Sequence, residues 1–169
     1  MKFGFRLPNV RGYDSFDYLL SLALEAESLG YDSLWVSDHL LYPETFSTTS
    51  SFFFDSLTTL ASLASSTKKI LLGTAVLLPL RNPILTANII ITIDHATKGR
   101  LILGFGVGWY KKEFELLGVP FKERGKILDE YIELLLELWK NNRVTFKGSF
   151  FQLDIFFFPK PYQKPYPKI

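Results

Sequence analysis

Apolar positions along the chain follow two alternating rhythms. Phe3, Phe5 and Leu7 recur every second residue and predict a short strand, closed by Pro8. Phe16, Leu19, Leu20, Ala23, Ala26 and Leu29 recur at helical spacing, with Asp14 or Ser15 as cap and Gly30 as the left-handed stop. Ser33 to Ser37 predicts a second strand, which opens into Asp38-His39. After a Ser/Thr-rich connection from Leu40 to Phe53, a helical pattern returns over Asp55 to Ser66. A connection of that length is usually a functional lid or a disordered segment. Ile70 to Leu78 is apolar almost throughout and predicts a strand buried on both faces. Asn82-Pro83 pairs a cap with a proline at the first helical position, and that helix runs to about Thr97 before Gly99. A fourth strand, Leu101 to Phe105, opens into the glycine turn Gly104-Phe-Gly-Val-Gly108. Lys122 to Lys140 is the longest helical pattern, its apolar face set by Ile127, Leu128, Tyr131, Ile132, Leu135, Leu138 and Trp139.

Strand followed by helix, four times over, implies right-handed crossovers and a parallel sheet over residues 1–141. The remainder, 142–169, differs. Val144 to Phe146 and Phe150 to Leu153 flank Lys147-Gly-Ser149 and predict a hairpin. Pro159, Pro161, Pro165 and Pro167 then impose an extended tail that cannot be a central strand. The whole reads as one α/β domain.

Composition narrows the class. The chain has 169 residues, of which 47% are hydrophobic and 16 are phenylalanine, enough for a substantial core and too apolar for disorder. The net charge is +2 with no basic block, so a nucleic-acid partner is not expected. Cysteine is absent, which fits a reducing compartment. No signal-peptide pattern opens the sequence, and no apolar run approaches the ~20 residues of a membrane span. A cytoplasmic protein that acts on a small molecule, without membrane or nucleic acid, is the expectation.

Several motifs fail. There is no phosphate-loop sequence and no nucleophile elbow. The dinucleotide fingerprint matches at Gly104 and Gly106 but finds Trp109 at its third glycine position. With His39 and His95 the only histidines and no cysteine, no metal site is expected. What remains lies at strand ends, where parallel α/β folds bind ligands. His39 there is either a proton-transfer group or part of a solvated loop pair that ends the strand. Asp94-His95, near a helix C-terminus, reads as structural. Gly73-Thr-Ala-Val76 marks either a bulge with close ligand approach or simple packing. Phe52 to Phe54 and Phe156 to Phe158 would line a pocket or fill a core.

Four stretches together resemble the N-terminal half of the luciferase-like flavin and deazaflavin oxidoreductases, (β/α)8 barrels that bind FMN or coenzyme F420. They are Glu27-Ser-Leu-Gly-Tyr-Asp-Ser-Leu-Trp-Val-Ser-Asp-His39; Ile70 to Val76 with Leu80-Arg-Asn-Pro83; Gly99 to Trp109 with Glu113-Phe; and Phe158-Pro-Lys-Pro-Tyr-Gln-Lys-Pro165. The resemblance implies that His39, beside Asp38, is the active-site histidine. In alcohol-oxidising deazaflavin members that histidine accepts a proton while hydride passes to the ring. It implies that Thr74, Ala75 and Val76 form the bulge behind the ring, with a cis bond at Ala75-Val76. It places Gly106, Val107, Gly108 and Trp109 beside the ring and ribityl chain. Val107 stands where bioluminescent relatives carry arginine, and Trp109 where sugar-phosphate dehydrogenases carry a glutamate. Neither of those two activities is therefore expected.

The implied function is an F420-dependent oxidoreductase or its N-terminal half. An FMN-dependent monooxygenase and a non-catalytic remnant or interaction subunit are the alternatives. A whole barrel takes roughly 250 residues. Four units would leave open apolar edges, so a homodimer or a partner chain that completes the barrel is expected.

Overall fold

The computed structural model describes residues 1–10, 15–41 and 54–169. Its order is β1 (Gly4–Arg6), α1 (Phe16–Ser28), β2 (Ser33–Val36), α2 (Ser56–Ser66), β3 (Leu71–Leu77), α3 (Pro83–Thr97), β4 (Leu101–Phe105), α4 (Lys111–Leu116), a 3-10 turn (Phe121–Glu123), α5 (Arg124–Lys140), β5 (Arg143–Lys147) and β6 (Gln152–Phe156). The first four strands form one sheet in the order β1-β2-β3-β4, every pair parallel. Sequential order and parallel pairing are what four successive right-handed β/α units produce. Most of the connection from Leu40 to Phe53, and two of the three residues in the Phe52 to Phe54 cluster, lie outside the described residues.

Local chemistry sets the helix ends. The Ser15 hydroxyl accepts from Asp17 N, the Asp55 carboxylate from Thr58 N, and the Asn82 carbonyl from Ile84 N and Leu85 N. Helix α1 closes into Gly30 at φ 83°, and α3 through Lys98 at φ 54° into Gly99 at φ 83°.

Alternation along the strands gives the sheet two unlike faces. Leu34, Val36, Leu72, Leu101 and Leu103 point to the helical side and are fully buried. There they meet Leu19 and Ala23 of α1, Leu60 and Leu63 of α2, Ile90 of α3 and Leu135 and Leu138 of α5. Each leucine sealed in this layer contributes about 1.5–3 kcal/mol. The opposite face is concave and only partly covered. Gly4, Arg6 and Ala75 are exposed on it, and Trp35, Leu71 and Ile102 are half-buried. Trp35 lies flat between β1 and β3: a Cβ on Gly4 or on Gly73 would come within 2.6 Å of its indole. Thus β3 is sealed on one face rather than on both.

Three departures from the sequence reading have physical causes. Helix α4 was not predicted, because six residues are too few for a 3.6-residue period to declare itself. The second hairpin strand starts at Gln152 rather than Phe150, with Phe146 facing Leu153 and Lys147 facing Gln152. The amides of Ser149, Phe150 and Phe151 all donate to the Glu130 carboxylate on α5 and so leave the ladder. The proline tail bends through Tyr162 to Tyr166, with a cis Lys164-Pro165 bond, before Lys168 forms a parallel bridge to Ile102 at the edge of β4. Asp94 and His95 hold that tail. The Asp94 carboxylate accepts from Gln163 N and Nε2 at 2.8 Å each, and His95 Nε2 lies 2.9 Å from Lys160 O.

Candidate functional site

The C-terminal ends of β2, β3 and β4 surround a cavity of about 500 Å³, lined by Arg6, Ser37, Asp38, His39, Ala75, Val76, Leu78 and Gly106 to Trp109. Its back wall is a β-bulge. Thr74 pairs with Leu103 and Leu77 with Phe105, so Ala75 and Val76 together oppose the single residue Gly104. The Ala75-Val76 peptide is cis, as the resemblance implies. Both residues are exposed on the cavity side. Gly106 closes against them, and a Cβ there would collide with the Val76 side chain. After Gly106 the chain leaves the sheet through Val107, Gly108 (φ 75°) and Trp109, which is 54% exposed.

Thr74 is buried and outside the lining. Its hydroxyl donates to Gly104 O at 2.9 Å and accepts from Gly104 N at 3.0 Å, replacing ladder bonds that the bulge interrupts. Asp38 lines the cavity, but its carboxylate is engaged inside the protein. Oδ1 accepts from Ser56 Oγ at 2.7 Å and Arg81 Nη2 at 2.5 Å, and Oδ2 accepts from Leu78 N at 3.1 Å. Arg81 also meets Asp55 at 2.6 Å. Thr74 and Asp38 therefore shape the site from behind it.

His39 stands at the rim, with Trp109 edge-on to its ring at 5.9 Å. Its Nδ1 lies 3.2 Å from Glu113 Oε2 and 3.4 Å from Oε1. Glu113 is fully buried on α4, and its Oε1 also accepts from Leu40 N at 2.7 Å and Leu41 N at 2.9 Å. Burial pushes the Glu113 carboxyl up, but the hydrogen bonds from His39, Leu41 and Leu40 outweigh it and hold the group below the usual carboxylate value. Sequence reasoning passed over Glu113 except as part of a motif. The signal available was a glutamate in a short, otherwise unremarked stretch just beyond the glycine turn. Arg6, on β1, was also missed; its guanidinium donates to Ser37 Oγ at 2.8 and 3.1 Å.

A second cavity of about 490 Å³ lies between the β3–α3 connection, α5 and the hairpin. It is walled largely by Pro79, Pro83, Val119, Ile127, Phe151 and Leu153, and its one charged group, Arg81, is committed to Asp38 and Asp55. Chemistry favours the first cavity, where a histidine–carboxylate pair meets an open, shaped wall.

The family model for luciferase-like monooxygenases matches residues 1–169. The chain belongs to that family. This luciferase-like chain is 36% identical over 151 residues to the F420-dependent glucose-6-phosphate dehydrogenase of Amycolatopsis mediterranei (strain U-32), covering 86% of itself and 44% of that enzyme. It is 29% identical to the FMNH(2)-dependent dimethylsulfone monooxygenase of Pseudomonas putida, covering 100% of itself and 50% of that enzyme. Among solved structures, an F420-dependent secondary alcohol dehydrogenase in complex with an F420-acetone adduct superimposes with a TM-score of 0.84 at 27% identity, covering 96% of this chain and 50% of the other. Monooxygenase RslO1 from Streptomyces bottropensis gives 0.83 at 27% identity, covering 99% and 52%. The luciferase-like chain thus spans about half the length of the relatives it matches, and its four β/α units correspond to half of a (β/α)8 barrel. Of those relatives, the two dehydrogenases are F420-dependent and the dimethylsulfone monooxygenase is FMNH(2)-dependent. No helix among the described residues is long and apolar enough to cross a membrane.

Proposed function

We propose that this chain carries the ring-binding and proton-transfer half of an F420-dependent oxidoreductase site. The observation that carries the reading is the His39–Glu113 pair, set on the rim of a cavity whose wall is the exposed Ala75–Val76 bulge. The residues fit a tricyclic ring. Ala75 and Val76 offer a flat apolar face, the backbone of Gly106 to Gly108 allows close approach, and Val107 and Trp109 are exposed beside it. A bound deazaflavin supplies the carbon that accepts or returns a hydride.

The protein's part is the proton. With Nδ1 committed to Glu113, proton exchange with a substrate hydroxyl falls to Nε2 of His39. For an alcohol substrate His39 Nε2 would take the hydroxyl proton, while a bound coenzyme would supply the hydride acceptor. Asp38 and Thr74 keep the strand ends in place from behind. The relationship to the Pseudomonas putida enzyme, which covers this entire chain, favours an FMN-dependent monooxygenase as the second reading.

Titration of the purified protein with F420 and, separately, with FMN tests the proposal, with native mass recorded on the same samples. Micromolar or tighter binding of F420 by a dimer or a larger complex is the expected result. Binding of FMN alone moves the assignment to the second reading. Binding of neither overturns the proposal and favours a non-catalytic remnant or interaction subunit.

A further inference from the structure

Glu113 shares its two oxygens unequally: both lie near His39 Nδ1, Oε2 at 3.2 Å and Oε1 at 3.4 Å. Oε1 is taken by the amides of Leu40 and Leu41, at 2.7 and 2.9 Å. Oε2 is the oxygen nearer to His39 Nδ1, at 3.2 Å. The side chain is fully buried, and Phe114, also fully buried, fixes the adjoining position of α4 by packing edge-on against Phe121 at 5.3 Å. An ionised carboxylate only accepts. Neutral imidazole carries one proton, and the nitrogen that faces an obligate acceptor is the one that holds it.

We infer that Glu113 is a positioning residue with two separable tasks: Oε1 anchors the main chain where it leaves β2, and Oε2 fixes His39 as the Nδ1–H tautomer. Nε2 is then the nitrogen that carries the lone pair, the form a proton acceptor requires. Without Glu113, the ring could rotate or carry its proton on Nε2, and the first two residues beyond it would lose their common acceptor. The inference rests on the assignment of proton transfer to His39, but its test needs neither cofactor nor substrate.

The discriminating variant is Glu113→Gln. Only its remaining oxygen can accept from Leu40 N and Leu41 N, so that atom stays at the Oε1 position. The amide nitrogen then takes the Oε2 position and donates to Nδ1, which drives the ring proton to Nε2. Main-chain anchoring survives while the tautomer reverses. The protein has only two histidines, so the imidazole nitrogens of a 15N-histidine-labelled sample are assignable with a His95→Gln variant as reference.

Long-range proton–nitrogen correlation spectra at a pH where His39 is neutral are expected to show Nδ1 protonated in the native protein and Nε2 protonated in Glu113→Gln. In an active complex, kcat for alcohol oxidation by the variant falls about 10²–10⁴-fold, the size of a lost or mis-tautomerised base, with KM little changed. Nε2–H in the native protein, or an unchanged tautomer in Glu113→Gln, overturns the inference. A reversed tautomer with undiminished kcat instead confirms the role of Glu113 and removes His39 from proton transfer.

Discussion

His39→Ala is expected to bind F420 or FMN about as tightly as the native protein and to turn over about 10²–10⁴-fold more slowly. Under the proposed function the ring would rest on Ala75, Val76 and Gly106 to Trp109, where the main chain is set by the β3–β4 pairing and the bond from Gly106 N to Leu77 O. Proton exchange does depend on it. Titration by absorbance or fluorescence gives the affinity, and secondary-alcohol oxidation gives kcat. Adding Glu113→Gln to His39→Ala should cost nothing further in kcat, because Glu113 acts through the ring that the first substitution removes. Normal turnover by His39→Ala would end its catalytic role. A further drop in the double variant would mean that Glu113 acts independently.

The largest expected effect on stability lies at Asp38. One buried carboxylate joins the end of β2, the first turn of α2 and the loop after β3, through Ser56 Oγ, Leu78 N and Arg81 Nη2. Asp38→Ala strands all three donors. Breaking a buried pair from one side typically costs about 3–5 kcal/mol. Asp55 remains on Arg81, so the lower end of that range applies. For a domain of this size the loss lowers Tm by roughly 10 °C. Urea unfolding should show a lower midpoint with the same slope. Asp38→Asn, which keeps one acceptor oxygen, should cost less than the alanine variant. A loss below about 1 kcal/mol for Asp38→Ala would show that the network contributes little, as exposed ion pairs do.

Most of the frame was legible in the sequence because its signals are local. Caps at Ser15, Asp55 and Asn82, stops at Gly30 and Gly99, and the apolar runs around Leu34, Leu72 and Leu103 each announce an element within a few residues. The Ala75–Val76 bulge was legible only through resemblance, since small residues in a strand read equally well as packing. The pairing of His39 with Glu113 was not legible at all. The two lie 74 positions apart, and Glu113 sits on a single helical turn with no periodicity to mark which way it points. The same holds for Glu130, whose capture of three amides moved the second hairpin strand. Long-range capture of backbone donors by a carboxylate leaves no periodic trace.

The three tryptophans occupy three unlike environments, and two of them face the open side of the sheet. Trp139 is sealed in the helical layer, with its Nε1 donating to Ala87 O, and Trp109 stands in the open beside His39. Trp35 lies on the concave face, half-covered between two glycines. Whatever covers that face takes water from Trp35 and, at the cavity rim, from Trp109, and leaves the sealed Trp139 as it was. A blue shift of tryptophan emission when this side of the sheet is covered, smaller in Trp35→Phe and in Trp109→Phe than in the native protein, would therefore report the loss of water from both rings.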